Sequence, residues 1–111
     1  MSEVKYQLID NQTDMDEFLL KISTQDFFCF DVETTGISPY SDDLVGISFS
    51  WVKNEAYFIF LPVDREEAEK FLHQLKPIFN DVSKLKIGQN LKFDISFLES
   101  YGVSVKGPFF D

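Results

Sequence analysis

Cysteine is nearly absent: Cys29 stands alone, so no internal disulfide can staple the chain. No apolar run is long enough to span a bilayer, and no charged segment followed by an apolar one opens the sequence as a secretion signal. Basic residues are scarce, with 10 Lys and Arg against 19 Asp and Glu for a formal charge of -9. DNA, RNA and anionic lipid are themselves negative, so any contact with nucleic acid has to be local or assisted by cations. A soluble, cytoplasmic chain with no membrane partner is the expectation. Repeats, low-complexity tracts and linkers are also lacking. What the 111 residues do contain is 44% hydrophobic content with 13 Phe, enough for the core of one domain.

Periodicity orders that domain. YQLI (6–9) reads as a strand, and Thr13 with Asp16 opens a helix carrying Met15, Phe18, Leu19 and Ile22 at helical spacing. DFFCFDVE (26–33) is a nearly continuous apolar run, as in a strand covered on both faces, with Cys29 as a core residue. TTGISPYSDD is a loop. LVGISFSWV (44–52) and AYFIFLPV (56–63) form a hairpin across Lys53-Asn54-Glu55, with Trp51 in the core. Asp64 caps a helix whose stripe is Ala68, Phe71, Leu72, Leu75 and Phe79, kinked or ended near Pro77. KLKIG (84–88) is a short strand, 90–101 a helix with Leu91, Ile95 and Leu98 on one face, and 103–105 a last strand. Strands and helices alternate, the pattern of an α/β domain.

Within FCFDVETTG, Asp31 and Glu33 are two apart in a strand and therefore share a face. The other D-x-E, Asp64-Arg65-Glu66, falls at a helix start, where residues two apart diverge by about 200° and acids simply suit the dipole. Two carboxylates side by side at the end of a buried strand repel and lose hydration, and a divalent cation is the simplest compensation. Hard oxygen ligands suit Mg²⁺ or Mn²⁺. In IGQNLKFD (87–94), Asn90 and Asp94 are four apart and share a helix face, away from the apolar stripe. Taken alone that pair is a solvated face with Asn90 as a cap; taken with the strand acids it offers a third carboxylate to a two-metal centre for phosphodiester chemistry.

FCFDVETTG, LVGISFSW, LKIGQNLKFD and the later YGV and FFD, in this order, resemble the proofreading 3'-5' exonuclease domain of family A DNA polymerases, the bacterial DNA polymerase I group. The resemblance runs from Tyr6 onward. It implies a ribonuclease H-like fold, a mixed sheet with flanking helices, and two Mg²⁺ or Mn²⁺ ions held by Asp31, Glu33 and Asp94, with Glu33 also orienting the attacking water. Thr34, Ile37 and Asn90 would line the groove for the 3'-terminal nucleotide, Ile37 as an apolar wedge at the last base. It further implies a single-stranded or frayed DNA 3' end as substrate, nucleoside 5'-monophosphates as products, and a polymerase domain in the same parent chain.

The family's Tyr-x-x-x-Asp motif is not matched after Asp94. Tyr6 and Asp10 fit the spacing, but they precede the first acids and Tyr6 sits in a strand. Residues 1–111 are therefore expected to be the front portion of such a domain, without its last acidic motif and its C-terminal part, with Asp111 capping a helix beyond. Two other readings stay open, a non-catalytic structural module of a polymerase and an RNA 3'-5' exonuclease like ribonuclease D. His73 is expected to be solvated, and Lys84, Lys86 and Lys92 to serve solubility rather than phosphate.

Overall fold

The computed structural model describes residues 5–111. In chain order the elements are β1 (Lys5–Ile9), α1 (Gln12–Ser23), β2 (Phe27–Thr34), β3 (Leu44–Ser50), β4 (Glu55–Phe60), α2 (Arg65–His73), α3 (Lys76–Phe79), β5 (Leu85–Ile87), α4 (Leu91–Ser100) and β6 (Phe109–Phe110). One sheet runs β1-β4-β3-β2-β5-β6, with β2 antiparallel to β3 and parallel to β5. The expected α/β architecture is the one observed. No helix among the described residues is long and apolar enough to cross a membrane.

Local chemistry accounts for the boundaries. Asn11, in extended conformation, accepts from the Asp14 N–H at 2.9 Å and so starts α1 two residues before the expected Thr13. Met15, Phe18 and Ile22 bury the predicted stripe. Asp64 caps α2 by accepting from the Glu67 N–H at 3.0 Å. Pro77 begins a new turn rather than kinking an old one: α2 ends at His73, and Pro77 lies in the first turn of α3, where a missing N–H costs nothing. Leu75, Ile78 and Phe79 carry the stripe onward through that break. Phe79 is its centre, with Phe28, Phe30 and Phe49 ring centroids 5.7, 5.1 and 5.9 Å away. Trp51 packs half-buried, stacked on Tyr57 at 4.9 Å.

Three expectations are corrected here. The strand predicted at 103–105 is instead an irregular segment that buries Val103 and ties Lys106 N–H to the Phe79 carbonyl; the last strand is β6, against β5. β2 is also not covered on both faces. Its burial alternates strictly, with Phe28, Phe30 and Val32 inside and Phe27, Cys29, Asp31 and Glu33 exposed. An apolar run conceals that alternation when the open side itself carries Phe and Cys. Cys29, expected in the core, is exposed.

Candidate active site

Alternation along β2 puts Asp31 and Glu33 on the same, open side, with Val32 buried between them. β5 pairs with β2 only over Phe27–Cys29, which leaves the β2 edge beyond Cys29 free for another partner. The N-terminal turn of α4 takes that place. The Asp94 carboxylate comes up against the Val32 backbone there, a contact that favours its charged form. Gly88 permits the approach: a Cβ there would lie 3.0 Å from the Phe30 carbonyl oxygen and 2.6 Å from Leu91 Cδ2.

The start of α4 is built without a side-chain cap of its own. Asn90 adopts a left-handed conformation (φ 55°) and its amide makes no capping bond. Its backbone N–H and that of Leu91 instead donate to the two carboxylate oxygens of Asp111, each at 3.0 Å. Asp111 therefore caps α4, and it joins the acids at this end of the sheet. Sequence spacing does not reveal this role. A helix start leaves its first N–H groups needing acceptors, but nothing local identifies one 20 residues downstream.

Asp94 departs most from expectation. Predicted to project away from the apolar stripe, it is 2% exposed, and its Oδ2 has no hydrogen-bond partner among the described residues. Its pKa is pushed up to about 7, first by burial, then by the charge of Asp31, with Asp111 and Glu33 adding to it and the Val32 backbone opposing. Asp31, Glu33 and Asp94 are thus close enough to feel one another. Among the described residues no three His, Cys, Asp or Glu side chains are already gathered tightly enough to hold an ion. The donor set nonetheless suits one: hard carboxylate oxygens, an orphaned buried Oδ2, and mutual repulsion that a divalent cation would offset.

An open cleft of about 820 Å³ lies over these groups, lined by Cys29, Asp31, Asn90, Asp94, Phe110 and Asp111 among others. Glu33 stands outside its lining, on the same side of β2 one step further along. Thr34, the next residue, donates its hydroxyl to the Gly36 carbonyl at 2.6 Å, which shapes the following loop. Ile37, on that loop, is 85% exposed. Asn90 is exposed at the cleft edge.

Three residues set aside in the sequence also find definite places. His73 is half-buried rather than solvated, with Nε2 2.8 Å from the Tyr101 carbonyl; a carbonyl only accepts, so Nε2 carries the proton. Lys84 and Lys86 serve neither solubility nor phosphate. Both are buried, Lys84 donating to the Ser23 and Gln25 carbonyls and Lys86 to that of Asp81.

A mixed sheet with flanking helices in this order is a ribonuclease H-like fold, and solved structures share it. Brucella melitensis NrnC, solved with bound Mg²⁺, superposes with a TM-score of 0.71 at 23% identity over 98% of this chain and 49% of its own. Trypanosoma brucei RNase D, solved in complex with RNA U12, gives 0.79 at 14% identity over 97% of this chain and 37% of its own. At the sequence level the chain matches the 3'-5' exonuclease family model over residues 6–111, and it belongs to that family. DNA polymerase I of Pseudomonas aeruginosa is 31% identical over 99% of this chain, and that of Borreliella burgdorferi 29% over 97%. The chain spans only 13% and 12% of those two proteins.

Proposed function

We propose that this chain carries the metal-binding part of a 3'-5' exonuclease domain that trims the 3' end of single-stranded or frayed DNA, in the cytoplasm, as the proofreading partner of a polymerase domain in the same protein. The observation that carries the reading is Asp94: a buried carboxylate with an unpartnered oxygen, crowded by Asp31 and Glu33, makes physical sense when divalent ions occupy the site. The similarity of the whole chain to DNA polymerase I favours DNA and the polymerase context. The chain covers 49% and 37% of the two solved structures it matches, so the whole domain's activity is a proposal for the intact protein.

In this reading Asp31, Glu33 and Asp94 hold two Mg²⁺ or Mn²⁺ ions. When bound, such ions supply the lowering of a water pKa and the stabilisation of charge on the departing 3' oxygen. The chain's own groups do the rest. Glu33 accepts a hydrogen bond from the attacking water and aims its lone pair at phosphorus. Asn90 offers its exposed amide to the terminal nucleotide, Thr34 fixes the loop that follows Glu33, and Ile37 packs against the last base. The water oxygen bonds to phosphorus as the P–O3' bond breaks, the proton passes to the 3' oxygen, and a nucleoside 5'-monophosphate leaves without a covalent protein intermediate.

Hydrolysis of 5'-labelled single-stranded DNA by the intact protein tests this, with Asp31→Ala expected to lower the rate at least about a hundredfold. Undiminished hydrolysis by that variant would refute the assignment. The likeness to a ribonuclease D bound to RNA motivates a second reading, RNA trimming, and DNA and RNA of one sequence compared side by side decide between the two. A non-catalytic module would bind neither Mg²⁺ nor Mn²⁺ specifically in a calorimetric titration.

A further inference from the structure

We infer that Tyr101, 57 residues from the strand turn it touches, is a positioning residue for Glu33; the inference rests on the reading above, in which Glu33 acts in the site. Tyr101 ends α4 and is buried, and its hydroxyl oxygen accepts the Leu44 N–H at 2.9 Å. Leu44 is where the pairing of β2 with β3 breaks step. Glu33 faces Gly46 but Thr34 faces Leu44, so Val45 is an extra residue on the β3 side. A bulge bends the strand that carries it, here β3, and raises the local twist of the pair, which in this inference sets the aim of Glu33 on the facing strand.

Below the bulge the loop neck is closed by Thr35 N–H to the Asp43 carbonyl and Asp43 N–H to the Thr35 hydroxyl, both 2.9 Å. The Leu44 N–H, next along β3, donates to the Tyr101 hydroxyl. Tyr101 is held at two points, ring and backbone. The Arg65 guanidinium lies 3.6 Å from its centroid while donating to the Ser100 carbonyl at 2.7 Å, and His73 holds the Tyr101 carbonyl. α4 carries Asp94 at one end and Tyr101 at the other, so a single rigid helix fixes both the buried acid and the turn that aims Glu33.

The test is Tyr101→Phe in the intact protein, which keeps the ring and deletes the hydroxyl. Expected are faster amide hydrogen exchange at Leu44 with the α4 amides unchanged, and a kcat lowered about tenfold with KM for DNA nearly constant. In a Glu33→Gln background the same substitution should cause no further loss, because a residue acting through Glu33 has nothing left to aim. Arg65→Gln, which frees the ring without touching the hydroxyl, should give a smaller loss that also vanishes in that background. Equal losses with and without the Glu33 carboxylate, or an unchanged kcat for Tyr101→Phe, would overturn the inference. Activity surviving Asp31→Ala would instead remove the reading on which it rests.

Discussion

Replacing Asp94 with Asn should make the protein more stable at neutral pH while disabling the proposed site. In the fold Asp94 holds its proton to about pH 7, against 3.8 for a free Asp. Below pH 3.8 the carboxyl is protonated in both folded and unfolded chains and costs nothing. As pH rises towards 7 the unfolded chain gives up its proton and the folded chain keeps it, so parent stability falls across that window and levels off above it. At about 1.4 kcal/mol per pH unit, the penalty is roughly 1.5 kcal/mol at pH 5 and about 4 kcal/mol at pH 8, an upper figure because neighbouring acids share the titration. The Asn side chain keeps an acceptor for the Val32 backbone and carries no charge. Denaturant unfolding of parent and Asp94→Asn in a chelator should therefore show a gap favouring the variant that widens by about 2.5 kcal/mol at most from pH 5 to pH 8. Mg²⁺ added at pH 8 should stabilise the parent and leave the variant unmoved. A variant less stable than the parent at pH 8, or a gap indifferent to pH, would refute the argument that burial and crowding of this carboxylate are what the fold must offset.

Two further predictions concern how α4 meets the sheet. Gly88→Ala should lower stability by about 1–3 kcal/mol in a denaturation curve, because the added methyl meets the Phe30 carbonyl oxygen, which cannot move without its strand; it should also cut nuclease activity by displacing Asp94 from the β2 edge. Asp111→Ala removes both acceptors at the start of α4 and should cost about 1–2 kcal/mol, read as a lowered thermal midpoint, with Asp111→Asn intermediate.

The site was legible in the sequence to the extent that periodicity carries direction. Strand spacing placed Asp31 and Glu33 together, and their open side is observed. Helical spacing put Asn90 and Asp94 on one helix face, whereas Asn90 stands just before α4 in a left-handed conformation and is exposed while Asp94 is buried; a polar residue off the apolar stripe is ordinarily solvated, and here the unpaired edge of β2 makes it otherwise. The errors on Cys29, Lys84 and Lys86 share that origin: residue type predicts burial on average, whereas a sheet with one open side exposes a thiol and carbonyls without partners draw lysines inward. Asp111 and Tyr101 were beyond reach because their partners lie 20 and 57 residues away, and no local pattern encodes such a contact.

Charge distribution adds a reason why divalent ions suit this site better than protein cations. Of the ten basic residues, none lines the cleft; Lys84 and Lys86 are turned inward onto carbonyls, and Arg65 covers Tyr101. The N-terminus of α4, the one helix end at the cleft with a dipole to offer a phosphate, is already occupied by the Asp111 carboxylate. A phosphodiester brought to Asp31 and Asp94 would thus meet only like charge from the lining side chains. Among the described residues no lining side chain offers a phosphate positive charge, and the divalent ions of the proposed site would supply it.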